Sequence, residues 1–160
     1  MSLRLLTSED LDAYYDVLHS GYQQTKTLPI SFEAADYQAS DCLQWLTAHP
    51  TYGWFVSDQL TSVLSLRMPW SAEPGPYGVP HIGHFATHPA FGGQGYGKQL
   101  FQAVEHEILR QQLRSPFVTL GTAAAHPWLN EMYQRFGFYE IERRQLAGKQ
   151  HLTIFYKKDL

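Results

Sequence analysis

Thr87-His88-Pro89-Ala90-Phe91-Gly92-Gly93-Gln94-Gly95-Tyr96-Gly97-Lys98 is the stretch that decides how this chain folds. Four glycines fall within positions 92–97, and a helical pattern follows at once. Just before it, His81-Ile82-Gly83-His84-Phe85-Ala86 reads as a short strand. A strand, a glycine loop and a helix start in that order form an anion cradle. Unpaired backbone N–H groups converge there, and the first helical turn carries a partial positive charge. Glycine lets the backbone approach a ligand closely and take up positive φ. What the protein does therefore depends on which phosphate this cradle holds.

Downstream, Leu100, Phe101, Val104, Ile108 and Leu109 form a buried stripe, which predicts a helix to about Arg114. Phe117–Leu120 reads as a short buried strand. His126-Pro127 opens a further helix, with Pro127 at its first position, Leu129, Met132, Tyr133 and Phe136 as its stripe and Gly137 as its stop. Phe138–Arg143 and Leu152–Tyr156 are strands joined around Gly148. Upstream, Thr7 or Ser8 caps a helix carrying Leu11, Tyr14, Tyr15 and Leu18 that ends near Gly21. Thr25–Ser31 is a loop, and Ser40-Asp41 caps a second helix with Leu43, Trp45 and Leu46. Trp54–Val56 and Leu60–Met68 make a hairpin, and Ser71–Pro80, with three prolines and two glycines, is a loop. The order is α-α-β-β-β-α-β-α-β-β, preceded by a short strand at Leu3–Leu6.

With 160 residues the expectation is one domain spanning residues 1–160. A chain of this length buries roughly two-thirds of its unfolded surface, so it needs neither disulfides nor a metal to fold. The single Cys42 rules out an intrachain disulfide and a cysteine-based zinc site, and no histidine pair has metal-ligand spacing. A net charge of −3 without a basic run argues against nucleic acid as a partner. The N-terminus lacks the pattern of a signal peptide, and no apolar run approaches the ~18 residues of a membrane span. A cytoplasmic protein with no membrane partner is the expectation. Two familiar phosphate cradles are excluded. Gly97 is followed by Lys98-Gln99 and not by Gly-Lys-Ser/Thr, and the loop sits mid-chain rather than after the first strand of a βαβ repeat.

Phe85 to Leu100 resembles the acetyl-CoA-binding motif of the GCN5-related N-acetyltransferases, the GNAT superfamily. Asn130-Glu131-Met132-Tyr133-Gln134-Arg135-Phe136-Gly137-Phe138 is similar to that family's Asn-x-x-Tyr-x-x-x-Gly-Phe segment. The spacing of the two motifs and the order of elements match as well. The resemblance implies an α/β (α+β) fold: a mixed, mainly antiparallel sheet with helices on both faces and splayed central strands. It implies acetyl-CoA as co-substrate, no metal, and transfer of an acetyl group to a primary amine of a small molecule or peptide by direct attack in a ternary complex. The pantetheine arm would pair with backbone at Phe85, Ala86 and Thr87. The loop Gly92, Gly93, Gln94, Gly95, Tyr96, Gly97 and Lys98 would hold the pyrophosphate, with backbone N–H groups from about Gly93 onward. Asn130 would contact the pantetheine arm, and Tyr133 would protonate the leaving thiolate. A homodimer is an assembly common in the family. A non-catalytic acyl-CoA-binding module and an unrelated nucleotide-binding fold are the competing readings.

One departure stands out. The family usually carries Arg or Gln where this chain has Gly92, so a side-chain contact worth about 1–3 kcal/mol is missing. Tyr133 lies on the apolar stripe of its helix, and from the pattern alone it is a core tyrosine. For the base that accepts the amine proton, His84, His81 and Glu73 are candidates, with His84 taken as the catalytic one, His81 on the opposite face of a regular strand, and a reaction without a dedicated base as the alternative. Tyr14, Tyr15, Tyr22, Phe32 and Trp70 could line an acceptor pocket, and Glu33, Asp36 and Glu73 could face a cationic acceptor. The segments that would choose the acceptor are Gly21–Asp36 and Ser71–Pro80.

Overall fold

The local signals resolve into one open sheet in a computed structural model, which describes every residue except Gln24, Thr25, Thr27 and Pro29. The strands are β1 (Ser2–Leu5), β2 (Thr51–Val56), β3 (Gln59–Arg67), β4 (His81–Thr87), β5 (Phe117–Ala123), β6 (Tyr139–Arg144) and β7 (Thr153–Asp159). They lie in the order β1-β2-β3-β4-β5-β7-β6. Every neighbouring pair is antiparallel except β4 with β5. Four α-helices accompany them: α1 (Leu11–Tyr22), α2 (Ala39–Ala48), α3 (Tyr96–Ala103) and α4 (Leu129–Arg135). The loop expected at Thr25–Ser31 lies partly outside the described residues.

Local chemistry explains the element ends. Thr7 and Asp10 form a reciprocal capping box ahead of α1. Ser57 and Asp58, with φ of 50° and 64°, make the two-residue turn whose twist suits the β2–β3 hairpin. Past Ala103 the third helix widens into π-type turns over Val104–Gln112, and the Leu113 N–H reaches the Ile108 carbonyl at 2.8 Å. The last helix departs from expectation. It begins at Leu129 and not at Pro127, because the His126 ring accepts from the backbone N–H groups of Trp128 (3.4 Å) and Leu129 (3.2 Å) and takes the place of a cap.

Helices cover both faces. On one, Leu64, Leu66 and Ile82 pack with Leu100, Phe101, Val104 and Tyr133. On the other, Val63 and Ala86 pack with Tyr14, Val17, Leu18 and Cys42. Strand β3 is buried along nearly its whole length because it is covered from both sides. Among the described residues no helix is long and apolar enough to cross a membrane.

Strand β4 positions the site through two irregularities. Its register against β3 runs Ser62↔Thr87, Val63↔Ala86, then Ser65↔Gly83, so His84 and Phe85 together oppose Leu64. This is a β-bulge, and His84 occupies it at φ 50°. On its other edge β4 pairs with β5 only at His81↔Thr119 and Ile82↔Leu120. Beyond that point the strands part, giving the splayed centre expected of the sheet. The bulge also corrects the expected alternation. The extra residue resets the period of two, so His81 and His84 line the same cavity.

Candidate active site

The glycine loop is built as a backbone cradle. Pro89–Phe91 forms a single tight turn, whose Ala90 N–H donates to His88 Nδ1 at 3.1 Å. Gly93 (φ 76°) and Gly95 (φ 79°) then take the left-handed conformation that delivers the chain into α3 at Tyr96. The first N–H to turn back into the helix is that of Gln99, to the Gly95 carbonyl at 3.0 Å. The N–H groups of Gly93 through Lys98 find no protein acceptor among the described residues. A Cβ added at Gly93 or Gly95 would meet nothing within 4 Å, so the cradle is open to an incoming group. Gly92 has an ordinary φ of −63°.

From the cradle a cavity of 1010 Å³ runs between the splayed strands, past Phe85 and Tyr133, to His84 and Phe32. Past Ile82 the backbone of β4 has no partner strand on this side. Tyr133 comes from the first turns of α4, is only 6% exposed and lies among Phe85, Phe136, Phe138 and Tyr156. Its hydroxyl makes no hydrogen bond among the described residues. Burial raises its pKa far above the usual phenol range, so it stays protonated.

His84 turns toward the α1–α2 face, where it stacks on Trp45 (3.6 Å between centroids) and meets Tyr37 edge-on (5.1 Å). The Tyr14 hydroxyl is 3.5 Å from its Nδ1. Burial, with His49, Arg67 and Lys149 adding positive charge, lowers its pKa to about 3. His81 bonds Thr119 Oγ1 at 2.7 Å and is likewise lowered to about 3, chiefly by burial.

A match to the acetyltransferase (GNAT) family covers residues 12–138. The chain belongs to the GNAT family. It is an acyltransferase, as are the curated proteins it matches. One is S-(2-succino)cysteine N-acetyltransferase of Bacillus subtilis (strain 168), 40% identical over 98% of this chain and 94% of that protein. Another is S-alkylcysteine N-acetyltransferase of the same organism, 34% identical over 86% of this chain and 78% of that protein. Among solved structures, the PaiA N-acetyltransferase from Thermoplasma acidophilum in complex with coenzyme A superposes with a TM-score of 0.72 at 15% identity, over 100% of both chains.

Not every residue singled out in the GNAT motifs reaches the cavity. Phe85, Ala86, Thr87, Gly92, Gly93, Gly95, Tyr96, Gly97, Lys98 and Tyr133 line it, while Gln94 is exposed outside it. Asn130 is turned away from the cavity wall. Its Nδ2 donates to the carbonyls of Ala123 (3.0 Å) and Ala124 (3.3 Å), and its Oδ1 accepts from the Tyr156 hydroxyl (2.8 Å). It pins α4 to the end of β5 and so holds Tyr133 in place. Of the residues singled out for an acceptor pocket, Tyr22, Phe32, Glu33 and Glu73 line this cavity, whereas Tyr14, Tyr15 and Trp70 do not, and Asp36 pairs with Lys26 at 3.5 Å.

Three groups at the far end of the cavity escaped the sequence reading. Arg67 ends β3 and donates to the Glu73 (2.9 Å) and Pro74 (3.0 Å) carbonyls. Lys149 comes from the β6–β7 loop and donates to the Ser31 carbonyl at 3.1 Å. His126, the cap of α4, stacks on Phe32 with centroids 6.4 Å apart. The loops meet at Ser31, which also donates its N–H to His151 Nδ1 (3.1 Å) and accepts from the Gln150 N–H (3.1 Å). No local pattern marks such residues, because they converge from distant parts of the chain.

Proposed function

We propose that residues 1–160 act as one domain that transfers an acetyl group from acetyl-CoA to the free amine of an S-substituted cysteine. One observation carries the transfer itself. The open cradle and the stretch of β4 past Ile82 that has no partner strand lie along a single cavity, with the protonated Tyr133 hydroxyl, which makes no hydrogen bond among the described residues, on its wall. The two curated relatives supply the acceptor class, since both are named for N-acetylation of S-substituted cysteines.

Acetyl-CoA supplies an activated thioester. The N–H groups of Gly93 to Lys98 would receive its pyrophosphate, with Lys98 and Arg135 along the same wall. The backbone of β4 around Phe85 to Thr87 would pair with the pantetheine arm, and an N–H near Phe85 would face the thioester carbonyl. Glu33 and Glu73 would draw the cationic form of the acceptor toward the site. The amine attacks once it is neutral. Tyr133 would give its proton to the departing thiolate and be restored by the proton that the attacking nitrogen sheds as the amide forms. His84, neutral above about pH 3, would hold the amine by hydrogen bonding and packing rather than store its proton.

The test is release of free CoA thiol from acetyl-CoA in the presence of S-substituted cysteines, polyamines, amino sugars and peptides. Turnover with S-substituted cysteines, yielding the N-acetyl product, is the expected result. Tight acetyl-CoA binding without turnover on any acceptor would instead favour a non-catalytic acyl-CoA-binding module.

A further inference from the structure

Beside the main cavity, and sharing Phe32, Arg67, His81, Gly121, Thr122 and Lys149 with it, lies a second cavity of 380 Å³. Its charges are one-sided. Arg67 and Lys149 both line it, and among the described residues each has only backbone carbonyls as partners, with no carboxylate in ion-pair range. Arg144 also lines it but is paired with Glu142, which accepts from the Tyr77 hydroxyl too. No carboxylate is among the described residues of its wall, whereas Glu33 and Glu73 line the main cavity. One further wall residue, Thr153, lies on the same sheet face as Gly121 and Phe155 and carries a buried hydroxyl with no hydrogen-bond partner among the described residues. It is shut off from bulk water, with a residue exposure of 5%. Buried hydroxyls without partners are costly unless something enters to meet them.

We infer that this second cavity is a carboxylate subsite, taking an anionic arm on the sulfur of the acceptor such as a succino group. Arg67 and Lys149 supply the charge, and the Thr153 hydroxyl supplies a neutral donor. This rests on the acyl-transfer reading and names the acceptor within it. A dicarboxylate arm suits two cations set on different elements better than an S-alkyl chain, which would leave both charges and the hydroxyl unmet. The amine end then falls toward His84, Glu33 and Glu73, and the acidic arm points away from them.

The experiment compares S-(2-succino)cysteine with S-methylcysteine as acceptors, and measures succinate binding by calorimetry. Lys149→Gln removes the charge while keeping a donor for the Ser31 carbonyl, and Lys149→Glu reverses the charge. Thr153→Val removes the unpartnered hydroxyl. Wild type is expected to prefer the succino acceptor by at least about tenfold, consistent with a charge-assisted contact. Lys149→Gln should erase most of that preference, Lys149→Glu should invert it, and Thr153→Val should reduce it severalfold. Succinate should bind wild type and compete with S-methylcysteine, and should do neither in Lys149→Glu. Equal loss on both acceptors in every variant, or succinate affinity that ignores Lys149, would overturn the subsite. If neither acceptor is acetylated, the acyl-transfer reading fails on its own, and Lys149-dependent succinate binding still decides the subsite.

Discussion

At the scale of single residues, His84 and Tyr133 have opposite electrostatic histories. Tyr133 is buried and His84 half-buried, and desolvation disfavours the charged form of each. For the tyrosine that means a retained proton, which is what a donor to a thiolate needs. For the histidine it means a ring that stays neutral down to about pH 3. Tyr133→Phe is therefore expected to lower kcat about 100-fold with little change in acetyl-CoA affinity, read by stopped-flow thiol release and calorimetry. An unchanged kcat would remove Tyr133 from the proton transfer. His84→Gln should lower kcat/KM without moving the acidic limb of its pH profile, which belongs to the acceptor amine. Loss of an inflection near pH 6–7 in that variant would show His84 titrating as a base after all.

At the scale of elements, the cradle was legible in the sequence because its determinants are local. Glycines, the following apolar stripe and the second motif all sit within short windows. The bulge in β4 was not, since it is a statement about register against β3, and only pairing reveals that His84 and Phe85 share one partner. The same limit explains Asn130. Its motif position is visible in the sequence, but its amide is consumed by Ala123, Ala124 and Tyr156, contacts that only the fold creates. The start of α4 was misplaced because a histidine ring can cap a helix from a position where Pro127 alone would signal a start.

Two predictions belong at this level. Gly93→Ala and Gly95→Ala force a side chain to φ values of 76° and 79°, so each should cost about 1 kcal/mol or more. That strain should appear as weaker acetyl-CoA binding in calorimetry, since it tilts the N–H groups of the cradle. Gly92→Arg is different. Its φ of −63° accepts any residue, and its added Cβ would meet only the Pro89 carbonyl at 3.3 Å. Acetyl-CoA should bind this variant about fivefold more tightly, through a side-chain contact to the pyrophosphate. Weaker binding would mean that the close fit at Pro89 outweighs the new contact.

At the scale of the whole molecule, the sheet is held together above the site and opened at it. The two halves meet through just two parallel pairs, His81↔Thr119 and Ile82↔Leu120, and the His81–Thr119 side-chain bond sits at that junction. The family fold and element order could be read from the chain. At the far end of the cavity Tyr22, Phe32, Glu33 and Glu73 could be singled out from the chain, but Arg67, Lys149 and His126 could not, because they come from separated segments that meet only in the fold. His81 also ties stability to pH. Its folded pKa of about 3 lies below the ordinary 6.5, so the unfolded chain binds more protons as pH falls. Its contribution is complete above pH 6.5 and is lost from there toward pH 3, at up to about 1.4 kcal/mol per pH unit. His49, His84, His126 and His151, all lowered chiefly by burial, act in the same direction. Denaturation in urea should show a marked loss of stability between pH 7 and pH 5, flattened in His81→Asn. A stability that is level or rising toward pH 5 would contradict this.

The most direct measurement is the reaction itself: CoA thiol release with acetyl-CoA and S-(2-succino)cysteine, with the product identified by mass spectrometry. The expected result is stoichiometric thiol release and a product carrying one acetyl group on the cysteine nitrogen, with both abolished or strongly slowed in Tyr133→Phe. Tight binding of acetyl-CoA with no thiol released on this or any other S-substituted cysteine would contradict the account.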